Sequence, residues 1–130
     1  MTLISDTVAE FGHSMGMSDL VLREDGTLVL DMERLGVLAI ELIGESRENI
    51  SLSLMRRIEP PDSAACTRLL ELCHYRNPAP FPTRAGLARE GELFFAIRMD
   101  AYQFTLPNVH QALDWLTGLQ DQSSAFTRPQ

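Results

Sequence analysis

Three histidines, two cysteines and an Asp-Gly pair are the side chains of this sequence most suited to chemistry. A zinc site needs ligands at set spacings, usually paired within one element. His13, His74 and His110 instead fall in three separate segments, so no metal set forms and none is expected. Cys73-His74 has the composition of a thiol nucleophile beside a base. Yet Cys73 lies on an apolar helical stripe, where cysteine acts as a small hydrophobe. Asp25-Gly26 opens like a calcium loop, but the oxygen ligands at successive odd positions are missing, leaving turn chemistry. Arg56-Arg57 is too short for a nucleic-acid patch and reads as a solvated strand end. No acid–base or nucleophile pair and no cofactor motif is visible, so an enzyme is not expected.

Bulk properties narrow the class further. At 130 residues the chain makes one domain with a core of its own. Its net charge of −7 disfavours nucleic-acid partners, which need clustered positive charge, and anionic membranes. All basic residues are arginine, which fits a GC-rich genome. No apolar run approaches a membrane span, and the N-terminus lacks the basic region of a signal peptide. Cys66 and Cys73, seven residues apart in one helix, would stand about 10 Å apart along its axis, beyond disulfide reach. Both are expected reduced and buried, in a cytoplasmic protein.

The apolar spacing then predicts the elements. Ile4, Val8, Phe11 and Met15 form one stripe of a helix over 3–15, stopped by Gly16. A short strand at Leu20–Arg23 precedes the Asp-Gly turn. The next strand, Thr27–Met32, places Leu28, Leu30 and Met32 on one face and Val29 on the other. Leu35–Ile43 follows, with Leu38, Ile40 and Leu42 opposite Val37, Ala39 and Ile43. Ile50, Leu52 and Leu54 alternate with serines in a strand buried on one side. The Val29, Val37, Ala39, Ile43 face is either covered by a helix or left for a partner. Asp62 caps a helix through Arg76 whose apolar arc is wide enough to pack on two surfaces. Asn77–Gly91, rich in proline, reads as a long irregular loop. A hairpin of Glu92–Met99 and Ala101–Leu106 turns at Asp100, and Pro107 opens the last helix. The expected fold is α+β, an antiparallel sheet with three helices in the order α-β-β-β-(β)-α-β-β-α. One domain spans 1–120, and a polar tail, 121–130, is expected to fray.

In this order the chain resembles the class I type III secretion chaperones, the Tir-chaperone-like family. LREDGTLVLDMERLGVLAIELIGE is similar to the family's strand–acidic turn–strand block, RLLELCHYRN to its second helix, and GELFFAIRMDAYQFTLPNVH to its closing strands and third helix. NPAPFPTRAGLAREG departs from it, being longer than the usual connection. The resemblance implies a bacterial cytoplasmic homodimer without enzymatic activity, cofactor or membrane insertion. Such a protein binds the N-terminal segment of a secreted effector in extended form and keeps it soluble. Its location in the family, with the apolar excess in this region, directs the effector to Ile4, Phe11, Leu20, Leu22 and Val29. Leu69, Leu72, Phe94 and Ala96 are expected at the dimer interface, because helix Asp62–Arg76 and strand Glu92–Met99 are apolar on more sides than one core absorbs. The competing reading is a small cytosolic ligand-binding or regulatory domain with the proline-rich loop as its lid.

Overall fold

The computed structural model describes residues 2–74, 79–89 and 91–130. Its elements run α1 (Thr2–Ser14), β1 (Thr27–Met32), β2 (Gly36–Ile43), β3 (Asn49–Arg57), α2 (Ser63–Leu72), β4 (Thr83–Ala88), β5 (Glu92–Asp100) and α3 (Leu106–Ser123). The strands make one antiparallel sheet in the order β1-β2-β3-β5-β4, as the α+β reading expects, without the optional extra strand.

The register explains the core. Leu28 stands opposite Ile40, Ile40 opposite Leu52, and Leu52 opposite Ile97, so one apolar row crosses four strands. Leu38, Leu54 and Phe95 form the next row. All seven are buried, under Val109, Ala112, Leu113 and Leu116 of α3 and Ile4, Val8 and Phe11 of α1. The helices thus cover this face, and the Val29, Val37, Ala39, Ile43 face carries no helix. α1 is stopped at Gly16, in left-handed backbone (φ 77°), by a Met17 N–H to Gly12 carbonyl bond of 2.7 Å. Asp62 caps α2, accepting from Ala65 N–H at 2.8 Å. The expected continuation of α2 through Arg76 runs into positions 75–78, outside the described residues; the helix itself ends at Leu72.

Four expectations are corrected. Leu20–Arg23 is not a strand: Leu20 packs on Gly12, where an added Cβ would stand 2.8 Å from that of Leu20, and only Arg23 N–H reaches the Thr27 carbonyl. The loop over Asn77–Gly91 contains β4, whose Ala, Gly and Arg residues have weak strand preference; pairing with β5 and a 2.9 Å bond from Trp115 Nε1 to Thr83 Oγ1 specify it. What remains of that loop is short for a lid, and its positions 77, 78 and 90 lie outside the described residues. The hairpin partner of β5 is therefore β4 and not Ala101–Leu106. That segment is a turn in which Gln103 N–H donates to Asp100 Oδ1 and Asp100 N–H to Gln103 Oε1, and it ends in the first residue of α3.

The last correction is the tail. Thr127 is buried, the Arg68 guanidinium lies 4.7 Å from the Phe126 ring centre, and Pro129 bridges to Ile58. Glu59 N–H donates to the Arg128 carbonyl at 2.7 Å. Polar composition concealed this because main-chain pairing carries it.

Candidate functional site

No described residues gather into a metal cluster, and the cysteines are free. His110 meets Ser14 at 2.9 Å and packs its ring against Phe11 at 5.5 Å, joining α1 to α3; His13 is exposed one residue away. Ser14 Oγ also lies 2.7 Å from the Phe11 carbonyl, so the Ser14–His110 contact ties the end of α1 to α3. Cys66 and Cys73 are half-buried, not fully buried as their stripe implied. Burial pushes the Cys73 thiol above its ordinary range. What the molecule offers is surface.

One surface is the β1 edge. Leu42 N–H donates to the Gly26 carbonyl, so Gly26 and Leu42 are a hydrogen-bonded pair. Antiparallel pairs alternate. Thr27, Val29 and Asp31 therefore turn their backbone groups away from β2, toward the free edge. Thr27 is satisfied locally: its N–H donates to Asp25 Oδ1 and its carbonyl accepts from Arg23 N–H. The Thr27 hydroxyl, which donates to the same Asp25 Oδ1 at 2.7 Å, and then the Thr27 N–H hold the Asp25 carboxyl below its usual range. Val29 and Asp31 are left with N–H and carbonyl groups pointing outward.

Beside this edge lie the sequence-predicted anchors, and the structure divides them. Leu20 and Leu22 are half-buried against the core rim, and Val29 is 50% exposed. Ile4 and Phe11, at 4% and 1%, are already covered by the chain's own core and offer nothing to a partner unless α1 moves. Met15 and Val21 are exposed in the same stretch.

A second surface lies between α2 and β4, an apolar hollow of about 170 Å³ lined by Cys66, Leu69, Leu70, Ala85, Gly86, Leu87 and Leu93. The wide arc of α2 divides between the core and solvent. Leu69 (3% exposed) and half-buried Leu72 pack inward, while Leu70 is 67% exposed and Leu87 43% exposed. The spacing places Leu70 on one apolar stripe with Cys66, Leu69 and Cys73, but it points outward instead, because adjacent helical residues cannot both face the core; Leu87 carries no signal of its own in the sequence. Phe94 and Ala96 lie on the helix-free face instead, with the Phe94 ring over Gly86, where any Cβ would collide with it.

A helix-backed antiparallel sheet with an open β1 edge and an apolar hollow beside its other edge strand, β4, offers surfaces to other chains. The chain belongs to the family of the type III secretory system chaperone SycN, whose model matches residues 3–124. It is therefore a type III secretion chaperone by family. Among solved structures it is similar in fold to the ExsC–ExsE complex (TM-score 0.76, 18% identity, 97% of this chain and 95% of that one). The Yersinia pestis secretion chaperone SycH, solved with a fragment of YscM2, is also similar (TM-score 0.68, 15% identity, 95% and 98%). So is the ExoU–SpcU heterodimer of Pseudomonas aeruginosa (TM-score 0.69, 14% identity, 95% and 99%). No curated protein sequence gives a significant match. Among the described residues no helix is long and apolar enough to cross a membrane.

Proposed function

We propose that this protein is a cytoplasmic, non-enzymatic chaperone that binds the N-terminal segment of a type III secreted effector in extended form and keeps it soluble and competent for secretion. The observation carrying this reading is the open β1 edge, with unpaired main-chain groups at Val29 and Asp31 beside the apolar strip of Leu20 and Leu22. An extended segment adds to such an edge by backbone hydrogen bonds, while pockets for alternate side chains select sequence. Each apolar anchor covered is worth up to about 1.5–3 kcal/mol, and ordering a disordered chain takes back about 2–5 kcal/mol. A few anchors therefore give binding that remains reversible. The family of the chain and the chaperone–partner complexes among its structural relatives support the same role.

Two copies are proposed to assemble through the α2–β4 hollow, with Leu69 in its floor and Leu70 and Leu87 as contacts, while Leu72 packs on the core outside it. The test of the main reading is co-purification from the native host, with the partner identified by mass spectrometry. Leu22→Glu should abolish capture of that partner while leaving the circular dichroism spectrum unchanged. Normal capture by Leu22→Glu would place the groove elsewhere.

A further inference from the structure

The loop before β1 is a finished hairpin turn that launches no second strand. Gly26, in left-handed backbone (φ 82°), donates its N–H to the Arg23 carbonyl at 2.9 Å, and Arg23 N–H donates to the Thr27 carbonyl at 2.8 Å. Two such bonds around a three-residue loop, with a left-handed glycine at its end, make a hairpin turn with a bulge. The Asp25 carboxylate braces it by accepting from the Thr27 N–H and hydroxyl. Arg23 and Thr27 are thus a first rung, and there the chain leaves the edge. Asp19 takes left-handed backbone (φ 61°), which a non-glycine residue holds at a cost, and Leu20 sits on Gly12. Yet the sequence on the two sides of the turn is a mirror about Asp25. Asp19-Leu20-Val21-Leu22, read in reverse, matches Leu28-Val29-Leu30-Asp31 residue for residue.

Continuing the register of the first rung sets Val21 opposite Val29 as the next hydrogen-bonded pair, because such pairs alternate. The N–H and carbonyl that Val29 turns away from β2 are the groups this pair needs. Directly opposite residues share a face. Leu22 then meets Leu28, and Leu20 meets Leu30, on the helix-covered side where all four already pack. Val21 and Val29, both exposed, cover each other on the other side. We propose that residues 19–23 are a strap with two positions, one folded back on α1 as described above and one zipped onto β1 as a sixth strand. Zipped, the strap shields the edge until a partner's extended segment displaces it. A bare edge is a template for unwanted pairing, and covering it is a common defence. The strap remains displaceable because its far end sets Asp19 against Asp31, and like charges directly opposite are destabilising. Its role as a gate rests on the effector reading of the β1 edge, whereas its closure is measured with no effector present.

The test traps the zipped position in the full chain. Val21→Cys with Val29→Cys places thiols on a directly opposite pair, whose Cα separation of about 5.5 Å suits a disulfide. Val21→Cys with Asp31→Cys, one pair out of register, is the comparison. In a glutathione buffer the first variant should close an intramolecular bond between positions 21 and 29 at least about ten times more favourably than the second closes 21 to 31, as peptide mapping by mass spectrometry would show. Adding Asp19→Thr, which disfavours left-handed backbone and removes the like charge, should favour closure further. Equal closure by the two variants, or closure by neither, overturns the strap. So does a 21–29 bond found only between chains, which marks a second copy on the edge. Closing the bond should also cut capture of the partner co-purified from the native host at least about tenfold, and reduction should restore it. Undiminished capture by the oxidised chain overturns the gate. Should no partner co-purify, the effector reading fails, and the closure measurement still decides the strap.

Discussion

Replacing Leu70 with glutamate should split the proposed dimer and leave each chain folded. Leu70 is 67% exposed on α2, beside Leu69, which is 3% exposed and holds the helix to the core. The variant therefore removes no core contact. Full burial of a leucine is worth about 1.5–3 kcal/mol, so covering two-thirds of one is worth about 1–2 kcal/mol. Two-fold symmetry counts it twice, giving about 2–4 kcal/mol. At about 1.4 kcal/mol per tenfold, the dimer Kd should rise roughly 30- to 1,000-fold. Desolvating two carboxylates adds to that. Sedimentation equilibrium from nanomolar to high micromolar concentration measures the shift, with circular dichroism and the thermal midpoint checking the fold. Tyr102→Glu, at a residue 93% exposed outside the hollow, is the control and should leave Kd unchanged. An unaltered Kd for Leu70→Glu refutes the interface, and a wild-type chain that is monomeric at micromolar concentration refutes the dimer.

The β1 edge gives a paired test. Val29→Pro removes an N–H that faces away from β2, so the chain should stay folded while partner affinity drops about tenfold, one hydrogen bond's worth; Leu30→Pro removes a ladder bond to Leu38, leaves its carbonyl without a partner and should lower stability by about 1–3 kcal/mol. Pulse-labelling and chemical denaturation separate them, and equal destabilisation by both would show the alternation to be misassigned. Burial raises the Cys73 pKa and so favours the neutral thiol; at pH 8 its alkylation should lag behind a free model thiol, the lag shrinking as pH rises past 9.0, as mass spectrometry of quenched samples would show. A Cys73 that alkylates at the model rate at pH 8 is more open than its place on α2 implies.

Apolar alternation, helical stripes and turn chemistry were enough to read most of this fold from the amino-acid sequence. Leu28, Leu38, Ile40, Ile50, Leu52 and Leu54 had to share a face because strand side chains alternate, and Gly16, Asp62 and Pro107 marked helix ends through their own backbone and capping preferences. β4 was not legible, since Thr83–Ala88 has little strand preference and is specified by β5 and Trp115. Nor was Gln120, a polar residue 2% exposed whose Nε2 donates to the Leu54 and Leu93 carbonyls at 2.8 and 3.1 Å, clasping β3 to β5. The candidate surfaces divide in the same way. Apolar excess pointed to Leu20, Leu22 and Val29, but only packing decided that Ile4 and Phe11 are core and Leu70 is free. Periodicity records which residues avoid water. Which of them the chain itself covers depends on contacts between segments far apart in sequence, and those exist only once the sheet has formed.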